Sequence, residues 1–83
     1  NPEKLFSDEL QSLVDKALET LPEQTRDIFV RSRYNNQSHK EIAVALGIST
    51  KTVEFHITKA LKVLRVALKD YFPLLAFLPK FFC

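Results

Sequence analysis

Eighty-three residues at 9.6 kDa, 46% hydrophobic and 27% charged, make one small globular domain with no room for a deep catalytic cleft, which favours binding over catalysis. A single Gly excludes the glycine-rich loops that cradle phosphates or dinucleotides, a single Cys (Cys83) excludes an internal disulfide and fits a reducing compartment, and no apolar run approaches the ~20 residues that span a bilayer. The formal net charge of +2 is unevenly spread: seven acids stand against three bases over 1–30, two against eight over 31–69, and one of each remains over 70–83. The beginning of the chain therefore repels a polyanion and the middle attracts one.

Residues 1–6 read as a linker remnant, residues 7–69 as the folded unit and residues 70–83 as an apolar tail. The chain has no Met, starts at Asn1 and lacks the basic-then-apolar layout of a signal peptide, so a cytoplasmic piece of a longer protein is expected.

The folded unit is expected to be all-α, with four helices. Leu10, Leu13, Val14, Ala17, Leu18 and Leu21 recur at the spacing of one helix face, behind Ser7 as N-cap and Asp8 and Glu9 in the first turn. Pro22 suits the first turn of a second helix, with Thr20 and Glu23 as a capping box, Thr25, Ile28, Phe29 and Ser32 on one face, and an end near Tyr34 before the Asn35-Asn36-Gln37 turn. Ser38 and Glu41 form an S-x-x-E capping box ahead of Ile42, Ala43 and Leu46, and Gly47 stands where a left-handed C-terminal residue is wanted. Only Ile48 separates Gly47 from Ser49, the next N-cap, and this is the connection of a helix-turn-helix.

The fourth helix, over about Thr50 to Lys69, should be the longest, with Val53, Ile57, Ala60, Leu61, Leu64 and Leu68 on its buried side. At ~100° per residue, Lys51, Phe55, Lys62 and Lys69 fall on the opposite side, flanked by Thr58 and Lys59. Bases, hydroxyls and one aromatic on the outer face of a helix entered through a tight turn are the parts of a recognition helix in a major groove. Thr50, Lys51, Glu54 and Phe55 are then the base-facing group. Lys can donate to guanine, Glu can accept from cytosine N4, and Phe or a Thr methyl can meet the thymine methyl. Lys59 and Lys62 would hold phosphates, and Ser38, His39 and Lys40 open the third helix where free N–H groups and the dipole favour another phosphate. The DNA-facing set expected from the turn and helix together is Ser38, Lys40, Ser49, Thr50, Lys51, Thr52, Glu54, Phe55, Thr58, Lys59 and Lys62.

The run from Leu21-Pro22 to Arg65 resembles region 4 of bacterial sigma factors, of the extracytoplasmic-function type. The likeness is carried by Leu21-Pro22-Glu23-Gln24-Thr25-Arg26-Asp27-Ile28-Phe29, Ser38-His39-Lys40-Glu41-Ile42-Ala43, Leu46-Gly47-Ile48-Ser49, Thr52-Val53-Glu54 and Lys59-Ala60-Leu61-Lys62-Val63-Leu64-Arg65. The resemblance implies binding to the minus-35 promoter element through the second helix of the helix-turn-helix. It also implies docking on the RNA polymerase β flap through the acidic first two helices, and occlusion by an anti-sigma factor. Many relatives carry a Gly where this chain has Asn35-Asn36-Gln37, and Asn accepts the same left-handed backbone angles.

Two other readings stand beside it. A LuxR-type effector domain shares Lys40-Glu41-Ile42-Ala43, Ile48-Ser49, Thr52-Val53 and a following His, but opens with an L-T-x-R-E-x-E-V-L-like segment that this chain lacks. A protein-interaction module would act through the apolar tail, which either covers the helices or anchors a partner or a second copy. Neither His39 nor His56 has a second metal-ligating side chain at the right spacing on its face, so no metal, cofactor or catalytic set is expected, and His56 reads as a helix-surface or phosphate-side residue.

Overall fold

The computed structural model describes residues 8–69, and every regular element among them is helical: α1 (Asp8–Glu19), α2 (Glu23–Arg33), α3 (His39–Leu46) and α4 (Thr50–Ala67). The all-α reading holds, with a short α3 leading into a long α4. The expected Ser7 cap, the linker remnant and the tail lie outside the described residues.

α1, α2 and α3 are too short to be secure alone in water, and they, like the longer α4, depend on the apolar face each buries. α1 contributes Leu10, Val14, Ala17 and Leu18, with Leu21 just beyond it; α2 contributes Ile28 and Phe29, and α3 contributes Ile42 and Ala43. Val53, Ile57, Ala60 and Leu64 of α4, with Leu68 at its end, complete one continuous core. α4 packs against all three other helices and is the spine of the domain. Leu61, expected on its buried side, is half-buried at the edge of the core.

The α1–α2 junction differs from expectation. The Thr20 hydroxyl donates back to the Ala17 carbonyl at 2.6 Å and does not cap α2. Pro22 is itself the N-cap, extended at φ −55° and ψ 149°, with no side-chain cap bond. The reason is geometric: Thr20 and Leu21 close the last turn of α1 through their own N–H groups, to Ala17 and Leu18, which aims the Thr20 side chain at α1. Proline has no N–H to satisfy, so the start of α2 tolerates the missing cap.

The other two junctions follow the sequence. Asn36 adopts a left-handed φ of 56° in the α2–α3 turn. Gly47 ends α3 at φ 67° and ψ 35°, its N–H shared between the Ala43 and Val44 carbonyls, while Ile48 donates to Ala43 at 3.0 Å. A Cβ at Gly47 would meet nothing within 4 Å, so its requirement is backbone strain alone. Gly47→Ala is accordingly expected to cost about 1–2 kcal/mol, and Gly47→Asn less, in urea unfolding. A larger loss for Asn than for Ala would contradict this account.

Candidate nucleic-acid interface

The turn at Gly47-Ile48-Ser49 sets the direction of α4. Ser49 caps it by accepting the Thr52 N–H at 3.1 Å, and the Ser49 and Thr52 hydroxyls lie 2.9 Å apart. These two residues of the expected DNA-facing set are therefore engaged in building the helix start, Ser49 exposed and Thr52 half-buried. A cap residue fixes the pose of the turn that follows it.

Beyond the cap, the two sides of α4 separate as its periodicity predicts. Thr50, Lys51, Glu54, Phe55, Thr58, Lys59 and Lys62 are all exposed, while Val53, Ile57, Ala60 and Leu64 face the core. Phe55 is 62% exposed, a large apolar ring standing in water one turn from Lys51 on one side and one turn from Lys59 on the other. At about 1.5 Å rise per residue, Thr50 to Lys62 spans roughly 18 Å, room for several base pairs of a groove.

His56 is placed differently from its reading as a surface or phosphate-side residue. Its Nδ1 lies 2.8 Å from the Thr25 hydroxyl of α2, and Thr25 is fully buried. The imidazole is half-buried and ties α4 to α2. Its ring also meets Phe55 edge-on, with centroids 5.2 Å apart and planes at 74°. The signal for this contact was a hydroxyl at a core-facing position of α2, since a buried O–H needs a partner.

At the start of α3 the capping box is complete: the Ser38 hydroxyl accepts the Glu41 N–H at 3.0 Å, and the Ser38 N–H donates to Glu41 Oε1 at 2.8 Å. The Ser38 N–H first, and the Ser38 hydroxyl with it, hold the Glu41 carboxyl below its ordinary range by hydrogen bonding to it. Glu41 thus takes up part of the positive end of the helix. A phosphate here would rely on the exposed Lys40, since the Ser38 N–H and hydroxyl both serve Glu41. Because the folded carboxyl titrates lower than the unfolded one, its stabilising contribution is present above the ordinary glutamate value and lost as pH falls through the depressed one. Thermal melts at about pH 7 and about pH 3 should show a smaller drop for Glu41→Ala than for the natural chain.

The acidic end of the chain is presented elsewhere. Asp8, Glu9, Asp15 and Glu19 line the exposed side of α1. On α2, Asp27 receives Arg31 Nε at 3.1 and 3.2 Å, beside a groove lined by Glu23, Gln24, Arg26, Asp27, Val30 and Leu46. Among the described residues no three His, Cys, Asp or Glu side chains are grouped to hold a metal ion, and no helix is long and apolar enough to cross a membrane.

Comparison with known proteins adds one finding to this geometry. The family model described as Sigma-70, region 4 matches residues 11–64, more than half of the chain and all of α2, α3 and the turn between α3 and α4. No curated protein and no solved structure matches.

Proposed function

The chain belongs to the sigma-70 region 4 family, a promoter-binding domain of sigma factors that works with RNA polymerase, and from that premise we propose that it is region 4 of an extracytoplasmic-function sigma factor reading the minus-35 element. The observation that supports this most is the exposed face of α4, where Thr50, Lys51, Glu54 and Phe55 stand clear of the core directly after the Gly47 turn. Lys51 and Glu54 supply a donor and an acceptor for base edges, and Phe55 supplies an apolar surface for a thymine methyl. Lys40, Lys59 and Lys62 hold phosphates and set the register.

In this reading the domain acts by positioning, with no bond made or broken. The acidic α1, which repels DNA, and the groove along α2, where Val30 and Leu46 sit beside Glu23, Arg26 and the Arg31-paired Asp27, are turned to protein and offer apolar area to the polymerase β flap. An anti-sigma factor covering either face would silence it. Residues 7–69 are the region 4 unit, working in the cytoplasm.

Binding of the 83-residue chain to duplexes carrying candidate minus-35 elements tests the assignment. With three phosphate-holding lysines, the logarithm of affinity should fall with the logarithm of salt at a slope of about −3, and Lys40→Ala should reduce that slope by about one. Lys51→Ala and Phe55→Ala should each weaken the preferred duplex about tenfold while leaving random-sequence DNA little changed. Equal losses on both duplexes would remove these side chains from the base-reading role.

A further inference from the structure

The groove along α2 holds one charge that the fold leaves unanswered. Glu23, Gln24, Arg26, Asp27 and Val30 of α2 line it together with Leu46 at the end of α3. Asp27 is committed within the helix, both of its oxygens accepting from Arg31 Nε, at 3.1 and 3.2 Å. Arg26, half-buried beside it, forms no ion pair and no side-chain hydrogen bond among the described residues.

A guanidinium drawn partly out of water with no acceptor loses hydration without compensation inside the chain. Its planar fork of N–H donors suits a carboxylate, which can take two of them at once. Glu23, three residues earlier, is within reach on the helix but stands exposed in the first turn of α2, where the positive end of the helix dipole stabilises it, and it forms no bond to Arg26. Val30 lies one turn beyond Arg26, about 6 Å along the axis, and Leu46 is half-buried against the core. A protein segment laid along the groove therefore meets hydrocarbon and, one turn away, a cation without an anion.

We propose that Arg26 receives a carboxylate of the segment that docks in this groove, an Asp or Glu about one helical turn from an apolar anchor seated on Val30 and Leu46. The proposal rests on the reading of the groove as the surface for the polymerase β flap, and it adds the chemistry that the flap must present there. A protein carboxylate fits better than a DNA phosphate: none of the DNA-facing candidates of α3 and α4 lines the groove, and Glu23 at its rim repels a polyanion. Arginine suits such a contact because its stem packs on hydrocarbon while the fork pairs. A flap with a neutral or basic side chain at that point would leave the guanidinium buried and unpaired, so the same residue selects the partner.

Binding of the 83-residue chain to RNA polymerase core enzyme tests it, with duplex DNA as the parallel measurement. Arg26→Gln should weaken core binding about tenfold and flatten its salt dependence, Arg26→Lys should lose less, and both should keep duplex affinity within about twofold. Arg26→Glu should bind core more weakly still, and one Asp→Lys or Glu→Lys change in the flap should restore it, a rescue that a merely structural role of Arg26 would not give. If Arg26→Gln binds core as well as the natural chain while Val30→Asp loses about tenfold or more, the carboxylate contact is overturned and the docking groove stands. If the natural chain does not bind core at all, the flap reading falls and the proposal with it. A loss of duplex affinity in Arg26→Gln, with a shallower salt slope, would give the guanidinium to a phosphate and overturn the proposal equally.

Discussion

Phe29→Ala is expected to cost about 3–5 kcal/mol, the largest single loss available in this domain. Phe29 is fully exposed to neighbours and not at all to water: its relative exposure is 0%, and it is the largest of the fully buried side chains. It sits with Ile28 on the face of α2 that joins the common core, and the α2–α4 contact is the most extensive between any two of the helices. Truncating the ring removes its contacts on every side and leaves a cavity that short helices can only partly close. A chain of this length has roughly 4–12 kcal/mol of stability in all, so the variant should lose a large share of it and unfold at a much lower urea concentration. Urea unfolding decides the point, with a lowered midpoint and an unchanged slope marking loss of stability in a fold otherwise the same. Phe29→Leu, which keeps most of the volume, should retain the fold and lose far less. If Phe29→Ala shifted the midpoint no further than a surface substitution does, the core described here would be wrong.

Most of the architecture was legible because it depends on short-range rules. The S-x-x-E box at Ser38 and Glu41, the left-handed Gly47 and the Ser49 cap each act within three or four residues, and all three form. The α4 stripe was equally readable, since a helix whose spacing puts Val53, Ile57 and Leu64 on one side must put Lys51, Phe55 and Lys62 nearly opposite. What escaped was competition between local options and contact across the chain. Thr20 had two backbones within reach, and its choice of α1 over α2 depends on how the last turn of α1 closes. His56 and Thr25 are thirty-one residues apart and meet only because α2 and α4 pack side by side, which periodicity on either helix does not reveal. The same limit explains why the candidate DNA face could be listed residue by residue, while the inner support of its aromatic ring could not.

That support makes His56→Ala the second large effect. Removing the imidazole leaves the Thr25 hydroxyl in the core without the partner 2.8 Å away, and an unsatisfied buried hydroxyl costs about 1–3 kcal/mol before the lost ring packing is added. Thr25→Val should be milder, about 1 kcal/mol or less: the β-branched shape is kept, the hydroxyl goes with its need for a partner, and the half-buried His56 can turn to water. The two changes should therefore not add. The double variant is expected to be no less stable than His56→Ala alone, giving a coupling of about 1 kcal/mol or more in a cycle of urea midpoints, whereas strict additivity would mean that the bond does not tie α2 to α4. DNA binding supplies a readout that stability does not move. The His56 ring meets Phe55 edge-on at 5.2 Å, so if Phe55 reads a thymine methyl as proposed, at temperatures where both variants are folded His56→Ala should lose discrimination for thymine over uracil at that base. Thr25→Val, which leaves the imidazole in place, should keep most of it. A helix tied to the core directly beneath its most exposed aromatic can present that ring to a groove without first ordering it, and the ordering avoided is affinity retained.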